Sequence, residues 1–125
     1  MPNVTQYETE SGGVPFKRWF DSLGAKAALK VRTAVAQMEA GNFGDHKAVG
    51  SGVWERRINF EKGYRIYYGK DGEELVILFW GGTKSRQQSD IDKAKQYWSE
   101  YKKRKKKAAS EQESKTKSRR RKKKR

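Results

Sequence analysis

The sequence contains no cysteine and a single histidine, His46. Without thiols there is no disulfide framework, no thiolate nucleophile and no cysteine-based zinc site; with one imidazole there is no paired-histidine metal centre. No apolar run approaches the roughly 20 residues that a membrane helix needs. The opening Met1-Pro2-Asn3-Val4 carries no secretory apolar segment. The expectation is a cytoplasmic protein that uses no cofactor and no membrane.

Acidic residues are scarce in one place. From Lys102 to Arg125 there are 15 basic residues against two acids, Glu111 and Glu113, a net +13; residues 1–101 hold 15 bases against 13 acids, only +2. The overall +15 therefore describes a tail and not the fold. That tail, KKRKKKAASEQESKTKSRRRKKKR, has no aromatic or large aliphatic residue. Its expected state is disorder, because it cannot bury enough apolar surface to offset ordering entropy and its charges repel. One domain over 1–101 and a disordered polybasic tail over 102–125 is the expected organisation.

Within 1–101, Val4–Glu8 reads as a short strand. Pro15 opens a helix carrying Phe16, Trp19, Phe20 and Leu23 at helical spacing. A second helix is expected over Ala25–Ala40, with Ala28, Val31, Val35 and Met38 on one face. Asn42–Gly52 reads as a polar loop. Three strand-like runs follow, Val53–Phe60, Tyr64–Gly69 and Glu74–Trp80, joined by short turns that include Asp71-Gly72 and so expected as antiparallel neighbours. The third run is apolar on both sides and reads as central, ended by Gly81-Gly82. A last helix starts between Thr83 and Ser89, with a capping box at Ser85-x-x-Gln88 or Ser89-x-x-Asp92, and its stripe is Ile91, Ala94, Trp98 and Tyr101. The predicted class is α+β, in the order β-α-α-β-β-β-α, with the helices on one face of a small antiparallel sheet.

Alternation sorts the strand side chains into two sets. Trp54, Ile58, Phe60, Tyr64, Ile66 and Tyr68 point toward the helices. Glu55, Arg57, Asn59, Arg65 and Tyr67 point the other way, with Lys84 and Lys47 in reach. One reading is a sheet that wets one face with polar residues. The other is a phosphate site, since guanidinium forks match phosphate oxygens and fixed cations suit RNA phosphodiester chemistry.

The segments GDHKAVGSGVWERRINFEKGYRIYYG at 44–69, LVILFWGGTKS at 75–85 and DIDKAKQYW at 90–98, with FKRWFDSL at 16–23, resemble the RelE/ParE superfamily of toxin–antitoxin toxins. The similarity is to its HigB-like addiction module killer branch. That resemblance implies a RelE-like fold and a metal-independent endoribonuclease that cuts messenger RNA on the ribosome, inhibiting translation. The substrate's own 2′-hydroxyl attacks, leaving a 2′,3′-cyclic phosphate. It also implies a helix-turn-helix antitoxin as partner. Carried onto this chain, Arg65 matches the arginine on the scissile phosphate, Arg57 the basic residue of the preceding strand, and Lys84 a cation near the leaving group. By facing alone, Glu55 is a candidate proton acceptor and Tyr67 a base-stacking or orienting group. Lys47, Arg86, Lys102, Lys103 and Arg104 complete the expected RNA contacts.

The chain departs from that pattern where Ser85–Asp90 offers neither tyrosine nor histidine as acid or base, and where Arg56 takes a core-facing position. Loop residue His46 reads as solvent-exposed, and the four tryptophans read mainly as core. The tail reads as an inert extension or as a nonspecific nucleic-acid tether. Two functional alternatives stand beside the nuclease: a ParE-like gyrase inhibitor, and a non-catalytic nucleic-acid-binding protein.

Overall fold

The computed structural model describes residues 2–123, with side chains as far as Gln112. It is an α+β fold. The strands are β1 (Asn3–Gln6), β2 (His46–Gly50), β3 (Val53–Ile58), β4 (Tyr64–Asp71) and β5 (Leu75–Thr83). The helices are α1 (Pro15–Asp21), α2 (Ala25–Glu39) and α3 (Gln87–Lys123), the last preceded by a 3-10 turn at Lys84–Arg86. The sheet order is β1-β5-β4-β3-β2. β2 through β5 pair antiparallel and β1 lies parallel to β5, so the sheet is mixed rather than purely antiparallel.

The helices do not share one face. Phe16 and Trp19 of α1 and Ala27, Val31, Ala34 and Met38 of α2 pack on Tyr64, Ile66, Tyr68, Val76 and Leu78. On the opposite face, Ile91, Ala94 and Trp98 of α3 pack on Val53, Tyr67, Ile77 and Phe79. The reason lies in β5: a run apolar on both sides exposes two hydrophobic surfaces, and each needs a cover. The α2 stripe is also rotated from expectation, with Ala27 and Ala34 buried and Ala28 and Val35 at its margin.

The segment expected as a polar loop holds β2, an edge strand in which only Val49 is partly buried. With one side in water and one edge unpaired, it carries no apolar alternation to betray it. Gly81-Gly82 does not end β5, which continues to Thr83. A Cβ at Gly81 would strike the Trp19 indole, and one at Gly82 would strike the Asp90 carboxylate. The pair is a place where a helix from each face presses onto the strand.

Residues 102–123 are helical, in contrast to the expected disorder. Lys, Arg, Ala, Gln and Glu are good helix formers, and extending an existing helix avoids the nucleation cost. Arg104 donates to the Glu8 carbonyl, and Lys105 donates to Asp71 at 2.6 Å. The contacts of α3 with the body thus extend about a turn past Tyr101, the expected boundary.

Candidate functional site

Facing in the sheet follows from register. Lys47, Glu55 and Tyr67 stand in line across β2, β3 and β4, and Arg57 is directly opposite Arg65. Cross-strand partners project to the same side. All five therefore lie on the α3 face, as alternation predicted for Glu55, Arg57, Arg65 and Tyr67; Lys47, expected to reach the site from a loop, stands there as a strand residue.

Glu55 is the centre of this group and is fully buried. Its Oε1 accepts from Arg57 Nε at 3.0 Å and lies 3.9 Å from Arg65 Nη1. Its Oε2 accepts from Gln87 Nε2 at 2.8 Å and from the Tyr67 hydroxyl at 3.2 Å. A carboxylate in the interior is tolerated only when charges and donors surround it. The hydrogen bond to Glu55 raises the Arg57 pKa above its ordinary value. Burial, then the neighbouring carboxylate, raises that of Tyr67 strongly, so its phenol stays a donor.

Two expected roles change. Glu55 faces no solvent and is occupied on both oxygens, so it anchors the arginines and is not a free proton acceptor. Tyr67 is fully buried beneath α3 and cannot stack on a base. Arg65 is itself buried, with Nε unpartnered among the described residues. Arg57 is about one third exposed and spends only Nε on Glu55, leaving its other nitrogens toward the surface.

Beside this cluster, between β2 and the start of α3, is an open groove of about 600 Å³. Lys47 and Lys84 line it, together with Ser85, Gln87, Gln88 and Ile91. Gln87 belongs to both groove and cluster and was not singled out from the sequence. A glutamine in a polar stretch carries no distinguishing signal, and its contact with Glu55 spans 32 positions. Asp90 is another buried group without sequence signal: it accepts from Trp80 Nε1 at 2.9 Å, and its second oxygen has no partner among the described residues.

The remaining candidates lie apart. Arg86 is exposed on the 3-10 turn and is not among the residues lining the groove. Lys102, Lys103 and Arg104 stand about 25 Å along α3 from Gln87 at the helical rise. Lys102 lies over the Trp98 ring, and Arg104 over that of Tyr7. His46 is exposed in β2 opposite Arg56, on the α2 side, between Phe43 and Trp54. Arg56 does face the core: its Nη2 donates to Gln37 at 2.6 Å, while Nε and Nη1 are buried without partners among the described residues. Burial lowers its pKa.

In what it can do chemically, the arrangement is an anion-binding surface. Arg57 offers a partly free fork, Arg65 backs it, and two lysines flank the groove. Among the described residues, no group of three or more His, Cys, Asp or Glu could hold a metal ion.

No known family profile matches the chain. It is 41% identical over 81 residues to an uncharacterized protein of Haemophilus influenzae, an alignment covering 64% of this chain and 82% of that protein. At that identity and coverage, the chain belongs to the same family as the H. influenzae protein.

Proposed function

We propose that the chain is a RelE/ParE-type toxin of the HigB-like branch, acting as an endoribonuclease on messenger RNA at the ribosome. The observation that carries this reading is the Arg57–Arg65 cross-strand pair, set on one buried carboxylate beside a groove flanked by Lys47 and Lys84. A phosphodiester seated there gains negative charge on its non-bridging oxygens as the 2′-oxygen attacks phosphorus and the bond to the 5′-oxygen breaks. Guanidiniums already fixed in place stabilise that charge without reorganising. The proton of the 2′-hydroxyl passes to water, and the departing 5′-oxygen takes a proton from the Lys84 ammonium, which water restores, leaving a 5′-hydroxyl. With Glu55 and Tyr67 closed off, catalysis rests on charge and positioning. The same reading has a small helix-turn-helix antitoxin as neutralising partner.

The test is induced expression beside a translated reporter message. The wild-type chain is expected to cut it, and Arg65→Ala to reduce cutting by about 10²–10³-fold, the scale for losing a transition-state donor. An intact message with gyrase supercoiling blocked would replace the nuclease by a gyrase inhibitor. Neither effect, with RNA binding that weakens as salt rises, would leave a binding protein.

A further inference from the structure

Two grooves lie on the same flank of α3. The first holds Lys47 and Lys84 with Gln88 and Ile91; the second, of about 380 Å³, holds Lys70, Lys102, Lys105 and Lys106 with Trp98 and Tyr101. Between them Lys95 arches over the β2–β3 turn: a Cβ on Gly50 would stand 3.2 Å from its Nζ. Gly52 of the same turn lies against Trp98, whose Nε1 a Cβ there would meet at 2.5 Å. Residues 88, 91, 95, 98, 102 and 106 follow one another at steps of three and four, the spacing of a single helical face. The crease between α3 and the hairpin thus holds both grooves, with Lys95 and Trp98 packed on the turn between them.

We infer that this crease is a track for single-stranded RNA, leading away from the Arg57–Arg65 pair along Lys95 to Lys102 and Lys106. The choice of RNA rests on the function proposed above; the track itself rests on the placement of the lysines. On α3 itself Lys95, Lys102 and Lys106 stand one behind another, which matches one phosphate chain where a duplex presents two, and Lys47, Lys84, Lys70 and Lys105 lie to the sides of that file. Ile91 and Trp98 give the file an apolar floor. The acids near it are few: Asp71 is held by Tyr101 and Lys105, and Asp92 accepts from Gln88. From Gln88 to Lys106 the track is about 27 Å long. That spans roughly eight nucleotides at a stacked rise of about 3.4 Å, and fewer if the strand is extended.

The experiment measures equilibrium binding of the full chain to a noncleavable, 2′-deoxy-substituted single-stranded dodecamer, a trimer of the same chemistry, and a duplex of the dodecamer, across salt concentrations. Lys95→Gln/Lys106→Gln is expected to bind the dodecamer roughly tenfold more weakly at low salt. Its log–log salt slope should be shallower by about 1.4, two single-strand phosphate contacts. Trimer binding should not change. An unaltered slope, an equal loss on the trimer, or a wild-type preference for the duplex overturns the track. A chain that shows the expected slopes yet cuts no message sinks the nuclease and leaves the track standing. One that cuts its message while the double variant keeps the wild-type slope does the reverse.

Discussion

Two neighbouring arginines on β3 point to opposite faces of the sheet and meet opposite surroundings. Arg57 faces α3, where Glu55 takes its Nε at 3.0 Å and Arg65 stands directly across. Arg56 faces α2, where a neutral amide, Gln37, is its hydrogen-bond partner and two buried guanidinium nitrogens have none among the described residues. On that second face lies an aromatic and aliphatic core, in which even the Tyr68 hydroxyl is buried without a partner among the described residues and burial pushes its pKa up to about 12. The α3 face combines a hydrophobic core at one end with a carboxylate-centred charge cluster at the other. On the α3 face Glu55 compensates both arginines, although Arg65 Nε and one Asp90 oxygen there have no partner among the described residues; on the α2 face Arg56 has a neutral amide in place of a carboxylate, a cost that the apolar packing absorbs.

The largest expected effect is at the compensated centre. Glu55→Ala leaves Arg65 buried beside unpartnered Tyr67 and Gln87, and breaking a buried ion pair this way costs about 3–5 kcal/mol. Urea denaturation reads it directly. A loss below about 1 kcal/mol would mean that the arginines are held by something other than Glu55. Arg56→Met should go the other way. It removes two unsatisfied buried donors and keeps most of the volume, so a gain of about 1–2 kcal/mol is expected. Destabilisation by that amount would erase the contrast between the faces.

This contrast was partly visible in the sequence. Period-two alternation placed Glu55, Arg57, Arg65 and Tyr67 together because facing is a local property of strands. It could not show what covers them, since that depends on α3 crossing to the far side of the sheet. Glu55 and Tyr67 therefore looked like exposed chemistry when they are interior supports. β2 escaped notice because an exposed edge strand such as His46–Gly50 need not carry apolar alternation. The helical state of 102–123 was missed for a different reason: repulsion and low hydrophobicity argue for disorder, while propensity and the preceding helix argue for continuation.

A second pair of carboxylates sharpens the same lesson at the smallest scale. Asp71, at the end of β4, accepts from the Tyr101 hydroxyl at 2.6 Å and from Lys105 at 2.6 and 2.7 Å, tying α3 to the sheet where Glu55 ties the arginines. Unlike Glu55, it sits at the rim: its side chain is 20% exposed and that of Lys105 is 60% exposed. The hydrogen bonds from Lys105 and then Tyr101 hold its pKa below the ordinary carboxylate value. A depressed folded-state pKa adds stability above the unfolded value of about 3.9, and that contribution disappears as pH falls through the folded value. Solvent screening keeps it small. Asp71→Asn is expected to cost less than about 1 kcal/mol near neutrality. The gap between wild type and variant should close as the pH is lowered below the carboxylate range, and should narrow in high salt, where the Debye length falls to about 3 Å. A gap that stays constant through acid would mean that Asp71 acts through the Tyr101 hydrogen bond alone, with its charge irrelevant to where α3 leaves the body.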